Sequence, residues 1–120
     1  MASTIKLKRI YEAPAAGDGT RILVDRLWPR GIAKDKAKID LWLKEIAPSD
    51  ALRRRFHGHP EDWDAFRAAY ATELKQAGEP VKTLRGHLRK GPVTLLYAAR
   101  DEEHNNAVAL KQWLARPRKT

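Results

Sequence analysis

Two short runs, Arg21-Ile22-Leu23-Val24-Asp25-Arg26 and Val93-Thr94-Leu95-Leu96-Tyr97-Ala98, are apolar at consecutive positions rather than at alternate ones. Successive side chains of a strand point to opposite faces, so such a run suits a strand covered on both sides. Parallel sheets sandwiched by helices provide that cover. The two runs are therefore predicted as neighbouring central strands of an α/β fold. Residues 4–11, Thr-Ile-Lys-Leu-Lys-Arg-Ile-Tyr, begin by alternating apolar and basic side chains, which predicts a further strand with one wet face. The loop Ala13 to Gly19 then leaves a connection of only about nine residues, short for a parallel crossover. The orientation of the first strand stays open, an antiparallel first pair included.

Helical spacing dominates the rest. Ile39, Trp42, Leu43 and Ile46 form one stripe, closed by Pro48. Ser49 is placed to cap the next helix, with Leu52 and Phe56 inward and Gly58 at its end. Pro60 opens a helix in which Trp63, Phe66, Tyr70 and Leu74 share a side until Gly78. Glu73 borders that stripe and reads as structural, facing a basic partner. A shorter helix runs from Pro80, with Val81, Leu84 and Leu88 inward, to Gly91-Pro92. Asp101 is placed to cap a last helix carrying Ala107, Leu110 and Leu114, with Glu102 and Glu103 in its first turn. The expected fold is a single α/β domain over residues 1–120, with 116–120 as a frayed tail. It has a small, mostly parallel sheet of about three to four strands and four to five helices in a three-layer, Rossmann-like arrangement.

Composition narrows the chemistry. The chain has no cysteine, which excludes a disulfide framework, cysteine-ligated zinc, iron–sulfur clusters and a thiol nucleophile. Its hydrophobic share of 42% and four tryptophans are too much for a disordered polycation. No apolar run approaches the roughly 18 residues of a membrane span, so a cytoplasmic protein with no membrane partner is expected. The net charge of +9 favours phosphates or nucleic acid as partners, although charge of this order also serves solubility. Arg53-Arg54-Arg55 and Arg116-Pro117-Arg118-Lys119 are the dense clusters, the first reading as a solvated helix face.

In open α/β sheets ligands settle beyond the carboxyl ends of the strands. If the two central strands are neighbours, the segments Asp25 to Gly31 and Tyr97 to Asn106 meet there. Arg26, Arg30 and Arg100 would hold an anion bidentately. Asp25, His104 and Tyr97 are the candidate proton-moving groups, and Trp28, Asp101, Asn105 and Asn106 the further ligand contacts. Plainer roles stand beside these: Asp25 paired structurally with an arginine, Trp28-Pro29 as a packing corner, Asp101 as a helix cap. His57-Gly58-His59 offers too few ligands for a metal, and no metal or cofactor is implied. No P-loop, G-x-G-x-x-G or G-x-S-x-G occurs.

The stretches "DRLWPRG" (25–31), "APS" (47–49) and "HNNA" (104–107), in this order and spacing, resemble the bacterial domain of unknown function 488 family, in its YeaO-like branch, over roughly residues 5–115. The resemblance implies a single-domain cytoplasmic α/β protein and supplies no substrate, reaction or cofactor. Other branches resemble a Cys-His-Arg pattern where this chain reads Asn105-Asn106-Ala107, so a covalent thiol intermediate is ruled out here. The functional expectation is an anion-binding site for a phosphate- or carboxylate-bearing ligand, nucleotides included. A nucleic-acid-associated accessory protein using Arg53 to Arg55, and a regulatory or scaffold protein with no small ligand, are the alternatives. Oligomeric state is not fixed by the sequence.

Overall fold

The computed structural model describes residues 4–115, so the expected tail at 116–120 and its basic cluster lie outside the described residues. Strands β1 (Ile5–Arg9), β2 (Thr20–Leu23), β3 (Leu41–Trp42) and β4 (Val93–Tyr97) form one sheet in the order β1-β4-β2-β3. Every pairing is parallel. Helices α1 (Lys34–Ala37), α2 (Asp50–Phe56), α3 (Trp63–Ala77), α4 (Glu79–Lys90) and α5 (Asn106–Ala115) complete the α/β arrangement, with 3-10 turns at Ala16–Asp18, Lys44–Ile46 and Pro60–Asp62. Among the described residues no helix is long and apolar enough to cross a membrane.

The two apolar runs are the adjacent strands β2 and β4, with Ile22 opposite Leu95. Alternate side chains divide between two cores. Ile22, Val24, Val93, Leu95 and Tyr97 join Leu52, Tyr70, Leu74, Leu84 and Leu110 in the larger one, which therefore takes residues from α2, α3, α4 and α5. Leu23 and Leu96 face the other way, to Ile10 and Ala37 with Trp28, Ile32, Ile39 and Trp42 around them. The layers are thus unequal: four helices feed one core, while one turn of helix and loop segments cover the other.

β1 is parallel too, pairing Ile5 with Val93, and it is separated from β2 by β4. No crossover helix is needed because the link returns along the strand itself. Lys8 Nζ donates to Ala13 O at 2.8 Å and to the Asp18 carboxylate at 3.2 Å, and Lys6 Nζ donates to Gly17 O at 2.9 Å. Ten extended residues reach about 33 Å, well beyond the length of a five-residue strand. The basic face of β1, expected to be wet, is the bed of this loop. Asp18 is buried there with Arg21, whose guanidinium donates to it and to the carbonyls of Ala37 and Lys38.

The stripe read as a helix over 39–46 is instead β3 followed by a 3-10 turn. Asp40 N and Leu43 N donate to the carbonyls of Arg21 and Leu23, extending the ladder. Ile39 and Trp42 go to one core, Leu43 and Ile46 to the other, so the four apolar residues serve two faces. A spacing of three and four cannot distinguish one buried face from two.

Ser49 caps α2 as expected, its Oγ accepting from Leu52 N at 3.1 Å. Glu73 is satisfied by Ser49 rather than by a basic group: it accepts from Ser49 N at 2.9 Å and from Ser49 Oγ at 2.6 Å. α5 starts later than expected. Asn105 caps it, Oδ1 accepting from Val108 N at 2.9 Å, while Asp101 accepts from Glu103 N and His104 N in a separate turn upstream. Glu102 and Glu103 lie in that turn and outside the helix.

Candidate functional site

β2 runs out at Asp25 and β4 at Ala98, side by side, because Val24 N still donates to Leu96 O at 3.1 Å. The Asp25 carboxylate fastens this end of the sheet. Oδ2 accepts from Ala98 N at 2.9 Å, and Oδ1 accepts from Asn106 Nδ2 at 3.0 Å. Asn106 also donates to Val24 O at 2.9 Å, and Trp42 Nε1 to Asp25 O at 2.7 Å. Burial pushes the Asp25 carboxyl above its ordinary range, an effect that the bonds from Asn106 and Ala98 and the nearby Arg53 only partly offset. Amides, rather than the arginine expected as a structural partner, satisfy this group.

A cleft of about 700 Å³ opens over the strand ends. It brings Asp25, Arg26, Trp28 and Arg30 from the segment after β2 together with Arg100, Asp101, His104, Asn105 and Asn106 from the segment after β4. Tyr97 does not reach it. That ring is buried in the larger core, 2% exposed, and burial raises its hydroxyl above the usual phenol range, with Glu102 and Glu12 adding to the effect. Arg9 and Asn105 offset that rise only in part.

The arginines divide by partner. Arg26 Nη2 donates to Ala47 O at 3.2 Å and its Nε lies 3.4 Å from Pro48 O, which ties the strand end to the loop before α2. Arg30 and Arg100 are exposed, and among the described residues neither guanidinium has a partner. Trp28 is a packing corner: Nε1 donates to Ile32 O at 2.8 Å and the ring meets Trp42 edge-on at 5.4 Å. Hydrogen bonds from Glu103 N and His104 N hold the Asp101 carboxyl below its ordinary range. Its Oδ2 lies 3.0 Å from His104 Nδ1. An ionised carboxylate makes Nδ1 the donor and leaves Nε2 without a partner among the described residues. Asn105 is buried, its Nδ2 donating to Asp101 O at 2.8 Å.

The other wall of the cleft is not legible in the sequence. It comes from α2, the following turn and α3: Arg53, Phe56, His57, His59, Trp63 and Phe66. Trp63 and Phe66 stack at 5.7 Å, Phe56 meets Phe66 edge-on at 5.9 Å, and His104 meets Trp63 edge-on at 5.3 Å, joining the two walls. Helical spacing marks these aromatics as core. Their number beside the turn His57-Gly58-His59-Pro60 is the one sign in the sequence that some would face a cleft. His59, Glu61 and Asp62 can bring ligand atoms within 4.8 Å of one another, but all three are exposed, and His57 is not part of the group.

A four-stranded parallel sheet covered by helices, with a cleft beyond its carboxyl ends, is an α/β architecture shared by proteins of many functions. The chain belongs to the family described as the inactive DUF488-N3 subclade, whose model matches residues 4–120. It is 47% identical over 110 residues to the uncharacterized protein YeaO of Escherichia coli (strain K12), covering 92% of this chain and 96% of that protein. It is 37% identical over 110 residues to the uncharacterized protein Rv3073c of Mycobacterium tuberculosis (strain H37Rv), covering 92% of each. No solved structure matches the chain at a significant level.

Proposed function

We propose that this protein binds a small anionic ligand, bearing a phosphate or a carboxylate, in the cleft beyond β2 and β4, and that it does so without turning the ligand over. The observation that carries the reading is the pair of exposed guanidinium groups, Arg30 and Arg100, which lie at one cleft and have no partner among the described residues. Arg26 and Arg53 add positive charge at the same place. The two carboxylates lining the cleft, Asp25 and Asp101, are already engaged by amides and by His104. An incoming anion therefore meets two unengaged guanidinium groups, while Arg26 is tied to carbonyls and Arg53 to Asp50.

The description of the family as inactive supports binding over catalysis. So does the commitment of Asp25 to the sheet end, which withdraws it as the partner of His104 in proton transfer. Asp25 and His104 acting as an acid and base pair is the reading this one displaces. Inorganic phosphate and pyrophosphate test it. At matched ionic strength, pyrophosphate is expected to raise the melting temperature of the wild-type protein. The double variant Arg30→Ala/Arg100→Ala is expected to lose at least about tenfold in affinity with its unliganded melting temperature unchanged, since both side chains are exposed. An equal response from wild type and double variant sinks the proposal.

A further inference from the structure

Among the described residues, two large hydrophobic side chains are exposed, Leu27 at 60% and Tyr11 at 46%, and both line this one cleft. A single exposed leucine is ordinary on a protein surface. Two such side chains sharing a concave site with the Trp63–Phe66 stack make an apolar lining that the fold itself does not cover. The same cleft carries the unpartnered guanidinium groups of Arg30 and Arg100. Its ligand must therefore offer apolar area as well as negative charge.

The polar groups set among those apolar residues narrow the class. Asn106 spends its Nδ2 on Val24 O and Asp25 Oδ1, and its Oδ1 accepts nothing from the described residues. His104 likewise keeps Nε2 free once Nδ1 is bonded to Asp101. A hydrocarbon tail would cover these polar atoms without satisfying them, which is costly. A flat ring with both donors and acceptors on its edge satisfies them and still packs its faces on apolar side chains. We propose that the anion belongs to a nucleotide: the phosphate on Arg30 and Arg100, the base against Leu27 and the Phe56–Trp63–Phe66 wall, its edge toward Asn106 and His104. This rests on the anion reading above and adds the base to it. A free mononucleotide and a nucleotide within a single strand present the same chemistry, and the net charge of +9 suits either.

Calorimetric titration of the wild-type protein with ribose 5-phosphate, the four nucleoside monophosphates and a short single-stranded oligonucleotide separates the outcomes. At least one nucleotide is expected to bind about tenfold or more tightly than ribose 5-phosphate. Leu27→Ser, at an exposed position outside both cores, is expected to erase that gain and leave ribose 5-phosphate binding unchanged. An oligonucleotide that binds more tightly still, with affinity falling steeply in salt, places the nucleotide in a strand, and equal affinity makes it free. If ribose 5-phosphate binds as tightly as every nucleotide and the oligonucleotide, the base has no site, while the anion reading stands. If none of them binds, the nucleotide falls, and the pyrophosphate response of wild type against Arg30→Ala/Arg100→Ala decides the anion reading separately.

Discussion

Asp25 carries two loads, one on the sheet and one on its own ionisation. Its carboxylate fastens Ala98 and Asn106, yet burial raises its pKa. A carboxyl with a raised folded pKa contributes stability that is fully present below the unfolded value, about 3.9, and is lost as pH rises through the folded value. The variant Asp25→Asn removes that titration. Its urea midpoint is therefore expected to gain on wild type as pH rises from the unfolded value through the folded one, and a pH-independent difference would refute the assignment. Asp18 works in the opposite sense. Burial raises its pKa, but hydrogen bonds from Ala15 N, Lys8 and Arg21 outweigh that and lower it overall. Its contribution is present above the unfolded value and lost as pH falls through the folded one. Asp18→Ala would strand the buried Arg21 guanidinium beside two carbonyls, at an expected cost of about 3 kcal/mol in urea unfolding at neutral pH. A loss below about 1 kcal/mol would mean that water reaches Arg21 readily.

At the scale of elements, Ser49 joins the start of α2 to the middle of α3. Ser49→Ala removes the cap on Leu52 N and the hydroxyl bonded to Glu73, with an expected loss of about 1–2 kcal/mol. A cycle with Glu73→Gln measures how much of it the two residues share, and strict additivity would deny the link. Gly19 begins β2 at φ +66°, where an added Cβ would lie 2.2 Å from Pro92 O. Gly19→Ala must shift the backbone that pairs β2 with β4, so a loss of about 2 kcal/mol or more is expected on chemical denaturation. These elements also mark what a sequence discloses. β2 and β4 are legible because a short run that is apolar at every position fits little besides a strand buried on both faces. So are α2, with its Ser49 cap, and α3 and α4, whose periodicity ends at Gly78 and Gly91, although the helix expected from Pro60 opens as a 3-10 turn and becomes α3 at Trp63. β3 is not: two residues of strand carry no periodicity, and only the ladder bonds to Arg21 and Leu23 define it. The start of α5 slips by several residues because Asp101 and Asn105 are both good caps, and the bonds of Asn105 across the turn decide between them.

Across the whole molecule, adjacency of β2 and β4 makes half of the cleft readable. The rule for strand ends brings Asp25, Arg30, Arg100 and His104 together on the residue order alone. The wall from α2 and α3 is not readable, because the packing of helices on the sheet turns Phe56 and Trp63 toward the strand ends, and spacing along one helix says nothing of that. Sheet order carries one more consequence. β4, near the end of the chain, is the strand that β1 and β2 both pair with, and β1 has no other neighbour. A chain that stops short of β4 has no strand partner for β1, and the face of α4 that packs on the sheet is left uncovered. A fragment ending at residue 91 should accordingly show no cooperative thermal transition. β4 is thus the keystone of the sheet: the two ends of the described chain meet there, and β1 can join the fold only once that late segment is in place.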